Sequence, residues 1–122
     1  MKKLINVGTA IFLSIAMTSV AYARYSQIGS FIADGNIYST SANASALVTF
    51  KEKVDATLTL YLEESSNGGV SYYLYETLDT KSGFGEGLSV QGNASGLDKD
   101  CEYRIKAEVV VDGGETEYKY LY

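Results

Sequence analysis

Two stretches of the chain alternate between apolar and polar residues, and this pattern constrains the fold more than any other feature. The stretches cover residues 54–63 and 101–112. Successive side chains of a β-strand point to opposite faces of a sheet, so a period of two is typical of a strand with one buried face. The predicted inward residues are Val54, Ala56, Leu58, Leu60 and Leu62 in the first stretch and Cys101, Tyr103, Ile105, Ala107, Val109 and Val111 in the second.

Segments rich in Asp, Asn and Gly separate the apolar runs and tolerate positive φ, which predicts β-hairpins. They are Asp34-Gly35-Asn36, Asn67-Gly68-Gly69 and Asp112-Gly113-Gly114. Further strands are predicted over 28–33, 36–42, 45–50, 70–78, 84–91 and 115–122, and no segment reads as an amphipathic helix. About seven closely spaced strands predict an all-β fold, a single antiparallel two-sheet sandwich.

The amino end has the pattern of a cleaved signal peptide. Lys2 and Lys3 precede an apolar segment, and Ala21-Tyr22-Ala23 supplies the small-x-small cleavage pattern. A retained membrane anchor is the alternative, but polar residues dilute the apolar run. We therefore expect residues 1–23 to be removed and 24–122 to form one domain, secreted to the cell exterior, or to a periplasm if the source has an outer membrane, with no membrane span left.

Charge and cysteine content limit the classes of partner and the source of stability. After loss of Lys2 and Lys3, eight basic residues face fifteen acidic ones, for a net charge of −7. Such a surface repels phosphate backbones and anionic lipids, so nucleic-acid and membrane-surface binding are disfavoured. The single cysteine, Cys101, cannot close an internal disulfide, and its place in the alternation predicts a buried, unreactive thiol.

The residue types needed for catalysis or metal binding are sparse. The sequence has no histidine, which excludes Ser-His and Cys-His nucleophilic systems. Glu63 and Glu64 are strand neighbours that point to opposite faces and do not form an acid pair. Asp98, Asp100 and Glu102 alternate as calcium ligands can, but no glycine follows where a calcium loop bends, so a solvated acidic turn is favoured. We expect no enzymatic activity, cofactor or metal.

Two Asn-x-Ser triplets occur, Asn43-Ala44-Ser45 and Asn93-Ala94-Ser95. They match the N-glycosylation sequon, which has no consequence in a bacterial source.

The segment from Gly96 to Ile105 resembles the Leu-x-Pro-x-Thr-x-Tyr-x-Val stretch that leads into the sixth strand of fibronectin type III domains, which are immunoglobulin-like β-sandwiches. Leu97 and Tyr103 occupy the matching Leu and Tyr positions, whereas Lys99 and Cys101 depart from the usual Pro and Thr. The resemblance implies that Leu97 caps the core and that the Tyr103 hydroxyl bonds to an upstream backbone group, as in a tyrosine corner.

Most of the chain after residue 23 also resembles a family of small exported bacterial proteins of uncharacterised function. The shared features are the signal peptide, the segment Thr59-Leu60-Tyr61-Leu62, and a Tyr-Arg strand followed by a glycine turn. This resemblance implies no activity.

Ten tyrosines remain after residue 23, with no tryptophan. Alternation over residues 70–75 predicts that Val70, Tyr72 and Leu74 face the core and that Tyr73 and Tyr75 face solvent. In the strand order that the fibronectin resemblance implies, these two tyrosines lie beside Arg104 and Lys106. Tyr73, Tyr75, Arg104 and Lys106 are therefore the predicted binding surface; the alternative is that the rings only stabilise the sheet. Tyr118, Tyr120 and Tyr122 are expected to face the core.

Two functions remain open from the sequence. The first is a secreted, non-enzymatic binding module whose partner is an extracellular protein or a glycan. The second is a structural subunit that assembles with its own copies through an edge strand, for which the final strand is the best candidate.

Overall fold

The structure, a computed structural model, describes residues 26–122, and its regular secondary structure is all β. The strands are β1 (Ile28–Ile37), β2 (Ser41–Ser65), β3 (Tyr73–Ser95), β4 (Glu102–Val111) and β5 (Thr116–Leu121). The all-β prediction is confirmed. The predicted signal peptide, residues 1–23, lies outside the described residues. Within 26–122, no helix has the length and apolar character needed to cross a membrane.

The strands form one curled antiparallel sheet organised around β2. Strand β3 follows β2 along nearly its whole length on one edge. On the other edge, β1 pairs with the first half of β2 and β4 with the second half. Strand β5 extends the second half by pairing with β4. The sheet therefore has a first half of three strands, β1, β2 and β3, and a second half of four, β3, β2, β4 and β5.

The prediction of about seven strands in two sheets is not confirmed, because β2 and β3 each run without a break through both halves. The predicted hairpin at Asp34-Gly35-Asn36 is wrong. These residues lie within β1 and pair with Asn43–Ser45 of β2. The chain turns at residues 38–40 instead, where the Tyr38 N–H donates to the Ser41 carbonyl at 2.7 Å. The other two predicted turns are confirmed and contain glycines at positive φ, Gly68, Gly69 and Gly113.

The sheet curls where the β2–β3 register breaks. The pairing shifts between Thr49 and Val54, so four residues of β2 lie opposite a much shorter piece of β3. An extra stretch of this kind bends a strand and increases its twist. On β3 the same place holds three glycines, and a Cβ on Gly87 would lie 2.9 Å from the Val48 carbonyl oxygen. A side chain at Gly87 would push β2 and β3 apart. Glycine at this position therefore allows the two strands to approach closely beside the bend.

The inner faces of both halves supply one continuous core. The alternation predicted for 54–62 and 103–111 is confirmed, since every predicted inward residue in those two ranges is buried. The largest fully buried side chains are Val48, Leu58, Leu60, Leu62, Ile105, Val109 and Val111. Both halves are thus held in place by shared hydrophobic packing, which requires no disulfide.

Candidate functional site

The second half of the sheet presents its tyrosines on two opposite faces. On the outer face of β4 lie Arg104 and Lys106, as predicted, opposite Glu63 and Tyr61 of β2. Strand β3 does not place its tyrosines there, because its register shifts between Leu62 and Glu63 of β2. Tyr75 is the extra residue of this bulge, and an extra residue exchanges the faces of the residues beyond it.

Tyr73 and Tyr75 are 52% and 43% exposed, so they reach solvent as predicted, but the structure does not bring them together with Arg104 and Lys106. Tyr73 lies opposite Glu64, a residue of the inner face, and its hydroxyl donates to Glu64 Oε1. The Tyr103 hydroxyl donates to Glu64 Oε2 at 2.5 Å, and the rings of Tyr75 and Tyr103 meet edge to face at 5.6 Å. We call Glu64, Tyr73, Tyr75 and Tyr103 the tyrosine–glutamate cluster. It lies at the rim of the core, where Glu64 and Tyr103 are buried and Tyr73 and Tyr75 are exposed.

The pKa values of two phenols in the cluster, Tyr73 and Tyr103, are raised. Burial first, and then the hydrogen bond to Glu64, raise the pKa of Tyr103 to about 12. The hydrogen bond to Glu64 also raises the pKa of Tyr73. A phenolate beside the buried Glu64 carboxylate would place two negative charges together, which contributes to the raised pKa of both tyrosines.

A platform of rings and cations does exist on the outer face, but it is built from other tyrosines. We call it the tyrosine–cation face; its members are Tyr61, Tyr72, Arg104, Lys106, Tyr118, Tyr120 and Tyr122. The guanidinium carbon of Arg104 lies 4.2 Å from the ring centroid of Tyr72 and 4.0 Å from that of Tyr120. Arg104 is thus held between two aromatic rings, one from the β2–β3 turn and one from β5.

Hydrogen bonds fix the orientation of this guanidinium. Arg104 Nε donates to Glu63 Oε1 at 2.7 Å, and Nη1 donates to the Tyr122 hydroxyl at 3.3 Å. Burial alone would lower the pKa of Arg104, but the bonds to Glu63 and Tyr122 outweigh it and the pKa is raised. The side chain is only 20% exposed. Arg104 is therefore a permanently charged centre that orders the rings around it.

Lys106 extends the face along β4. Its Nζ lies 4.9 Å from the ring centroid of Tyr118 and 6.0 Å from that of Tyr61. Glu108 Oε2 lies 3.9 Å from the same ammonium. The rings of Tyr118 and Tyr120 meet edge to face at 5.5 Å. Each cation of β4 thus lies beside a tyrosine of β5: Arg104 beside Tyr120, and Lys106 beside Tyr118.

The expectation that Tyr118, Tyr120 and Tyr122 face the core is wrong. Tyr120 lies opposite Lys106 and Tyr118 opposite Glu108, both on the outer face, whereas Leu121 lies opposite the buried Ile105. Tyr118 is 55% and Tyr122 78% exposed. Leu121 could have predicted this orientation from the sequence. It is the apolar residue of the segment, and because it packs against the core, the residues on either side of it point outward.

The fibronectin-like fold is not confirmed, and the segment from Gly96 to Ile105 leads into the fourth strand, β4. Leu97 is buried, and the Asp98 N–H donates to the Tyr103 hydroxyl at 3.0 Å. Cys101, predicted to be buried, lies in the turn before β4 and is partly exposed. Burial, and then the nearby Asp98 carboxylate, raise the pKa of its thiol.

The acidic residues before β4 shape a turn. Asp98 Oδ1 accepts the Asp100 N–H at 2.8 Å. Among the described residues, no group of three or more Cys, Asp or Glu side chains is placed to hold a metal ion.

No protein-family model matches the chain, and no curated protein matches it. The sensor domain of the anti-sigma factor RsgI4 from Pseudobacteroides cellulosolvens is 19% identical, with 80% of this chain and 95% of that chain covered and a TM-score of 0.44. The sporulation control protein Spo0M from Bacillus subtilis is 12% identical, with 76% of this chain and 48% of that chain covered and a TM-score of 0.36. Both are distant likenesses.

Proposed function

We propose that this chain is a secreted, non-enzymatic binding module that holds a protein partner on the tyrosine–cation face. The observation that carries the proposal is the stacking of Arg104 between Tyr72 and Tyr120, beside the exposed Tyr118 and Tyr122. Tyrosine and arginine are enriched among the residues that dominate the energetics of protein interfaces.

Preorganisation supports this assignment. Binding costs free energy when side chains lose rotamer freedom, about 0.5–1.5 kcal/mol for each long side chain. Arg104 has already lost much of that freedom through Glu63, Tyr122 and the two stacked rings. Tyr120 is packed on Arg104 and against Tyr118. A partner therefore meets a surface whose centre is ordered before contact.

Export and the lack of catalysis are parts of the same proposal. Support for export comes from the signal-peptide pattern of residues 1–23, and support for a non-enzymatic role comes from the absence of histidine in the sequence. Edman sequencing of the protein from culture medium is expected to begin at Arg24. A chain that retains residues 1–23 would contradict export by cleavage.

We also propose that the two halves of the curled sheet act as the two layers of a sandwich. The curled sheet brings inner residues of its first half, such as Val48 and Phe31, into one core with Leu58 and Ile105 of its second half. This shared core is what the two layers of a fibronectin-like sandwich require.

The test is a capture experiment on the exported proteins of the source cells. The protein carrying Tyr118→Thr with Tyr122→Thr is expected to lose its captured protein partner. Both residues are exposed on the tyrosine–cation face, and threonine preserves strand propensity. The matched control is Tyr38→Thr, because Tyr38 is 56% exposed in the turn between β1 and β2.

Capture by the wild type and the Tyr38→Thr variant, but not by the double variant, supports the proposal. Equal capture by all three proteins would contradict it, and so would retention of a glycan in place of a protein on this face.

Self-assembly is the second candidate, and the observation that favours it is the free edge of β5. Among the described residues, β5 pairs only with β4, so backbone groups on its other side are open to another strand. Glu117 and Lys119 place charges on β5, a device that discourages edge pairing. Light scattering at high protein concentration separates the two candidates, because oligomers favour assembly and a strict monomer excludes it.

A further inference from the structure

The outer face of the first half of the sheet carries rows of aligned polar side chains. Asn36 of β1, Asn43 of β2 and Asn93 of β3 lie in register across three neighbouring strands. The next outward row is Asp34, Ser45 and Gln91. Neighbouring strands lie about 4.8 Å apart, so each row spans about 10 Å. We call these six residues the amide groove.

The amides of the groove are unused by the protein itself. Among the hydrogen bonds of residues 26–122, none involves the side chain of Asn36, Asn43, Asn93 or Gln91. Each primary amide offers two N–H donors and a carbonyl acceptor. Four neighbouring amides thus point a dense set of donors and acceptors away from the core.

These residues stand against local propensity. Asn, Asp and Gly are depleted in strands, yet Asn36, Asn43 and Asn93 lie within strands at matching positions. Within residues 26–122, no side-chain hydrogen bond of these asparagines offsets their unfavourable strand propensity. Departures from local propensity without a structural gain concentrate at functional sites.

The groove is a depression with a wall. Strand β3 doubles back on itself, so that Asp79 Oδ2 accepts the Gln91 N–H at 3.1 Å and Lys81 Nζ donates to the Ser89 carbonyl at 3.4 Å. Gly92 permits this approach, because a Cβ there would lie 2.7 Å from the Leu78 carbonyl oxygen. Two adjoining open depressions of about 440 and 450 Å³ lie along the groove; both are lined by Asp34, Ser45 and Gln91, and Lys81 borders the first. Their volumes fall in the range of small-ligand sites.

One end of the groove is apolar. Ile32 and Leu47 lie opposite each other on the outer face and are 58% and 45% exposed. The same depression contains the charged residues Asp34 and Lys81. Amide groups can donate hydrogen bonds to the hydroxyls of a sugar ring and accept hydrogen bonds from them. The exposed side chains of Ile32 and Leu47 can pack against the C–H face of the same ring. Asp34 and Lys81 offset each other locally, and the acidic excess of the sequence disfavours a polyanion.

We propose that the amide groove binds a neutral polysaccharide, at a site separate from the tyrosine–cation face. The three asparagines and Gln91 bind sugar hydroxyls, and Ile32 with Leu47 supports the apolar side of a ring. This inference does not depend on the protein-binding role proposed for the other half of the sheet.

The experiment is affinity electrophoresis of the purified protein in gels containing soluble neutral polysaccharides: mixed-linkage β-glucan, xyloglucan, galactomannan and soluble starch. Polygalacturonate, a polyanion, is included for comparison. We expect retardation by at least one neutral polymer and none by polygalacturonate. The Asn43→Thr, Asn93→Thr variant is expected to bind that polymer at least tenfold more weakly.

Thermal unfolding distinguishes loss of a site from loss of the fold. Threonine favours strands more than asparagine does, so the midpoint of the double variant is expected to equal or exceed that of the wild type. The matched control is Tyr118→Thr with Tyr122→Thr, which alters the tyrosine–cation face and is expected to leave polysaccharide binding unchanged.

Several results would overturn the proposal. They are no retardation by any of the four neutral polymers, equal retardation by polygalacturonate, undiminished binding by the asparagine variant, and loss of binding in the tyrosine control. The last result would also place the sugar on the tyrosine–cation face, whereas failure of protein capture alone would leave the groove intact.

Discussion

Glu64 shows how a single buried carboxylate can organise the rim of the core. It is 9% exposed and accepts the hydroxyls of Tyr73 and Tyr103. A hydrogen bond to a charged group is worth about 1.5–3 kcal/mol, more than one between neutral groups. Tyr103 also accepts the Asp98 N–H, so its hydroxyl links β2 to the turn before β4.

Removal of the Tyr103 hydroxyl is therefore expected to be costly. Tyr103→Phe leaves Glu64 with one tyrosine donor and the Asp98 N–H without its acceptor, and should lower the free energy of unfolding by about 1–3 kcal/mol. Urea denaturation measures this loss. The control is Tyr38→Phe at an exposed turn residue, which should change stability little. Equal effects of the two substitutions would contradict the account of the cluster.

The raised pKa of Tyr103 predicts that the protein loses stability in alkaline solution. A phenol in the unfolded chain titrates near 10, whereas the pKa of Tyr103 is raised to about 12 in the fold. The fold thus favours the protonated phenol; this contribution is complete below about pH 10 and is lost as the pH rises through about 12. Between those values, stability of the wild type should fall more steeply than that of Tyr103→Phe. Parallel pH profiles in urea denaturation would contradict it.

At the scale of elements, the β4–β5 turn holds the first described residues of the chain. The Glu115 carboxylate accepts the backbone N–H groups of Gln27 and Ile28 at 2.6 and 3.0 Å and the Ser26 hydroxyl at 2.9 Å. It thereby attaches the start of β1 to the far edge of the second half of the sheet.

Glu115→Ala is expected to release the start of β1 and to destabilise the protein by about 2–3 kcal/mol, because several charge-assisted hydrogen bonds are lost together. Amide hydrogen exchange at Gln27 and Ile28 should accelerate more than exchange in β4. The control Glu86→Ala removes an exposed carboxylate from the glycine-rich bend of β3. Unchanged exchange at residues 27 and 28 would contradict this role.

The elements also show which parts of the structure the sequence could predict. Strand alternation over 54–62 and 103–111 correctly identified the buried residues, because long runs of Leu, Ile and Val leave one choice of face. The tyrosine segments were assigned to the wrong faces for two local reasons. A one-residue bulge at Tyr75 is set by pairing with β2 and cannot be read from a period of two. Leu121 packs against the core, and alternation counted back from it would have placed Tyr118 and Tyr120 on the outer face.

At the scale of the molecule, strand number was the feature the sequence could not give. Asp34-Gly35-Asn36 has strong turn chemistry, but β1 continues through it because its neighbour β2 pairs with it on both sides of Gly35. Similarly, the glycines at 83, 85 and 87 bend β3 and do not end it. Two of the three asparagines of the groove, Asn43 and Asn93, were visible as repeated Asn-Ala-Ser triplets, yet only the strand pairing reveals that they align with each other and with Asn36.

The shared core predicts the response of the whole sheet to a cavity. Leu60 is fully buried in the second half, in the same cluster as Val48 and Phe31 of the first half. Leu60→Ala should lower the free energy of unfolding by about 2–5 kcal/mol, and both halves should unfold in one transition. Circular dichroism and tyrosine fluorescence during urea denaturation check this. Two separate transitions would contradict a shared core.

The most direct measurement compares the thermal midpoints of two tyrosine pairs placed on opposite faces of the sheet. Tyr73→Ser with Tyr75→Ser breaks the tyrosine–glutamate cluster and should lower the midpoint by about 10 °C or more, since a domain of this size loses about 4–8 °C per kcal/mol. Tyr118→Thr with Tyr122→Thr alters only the outer face and should lower it by no more than a few degrees. The opposite order of the two midpoints would show that the faces have been assigned the wrong way round.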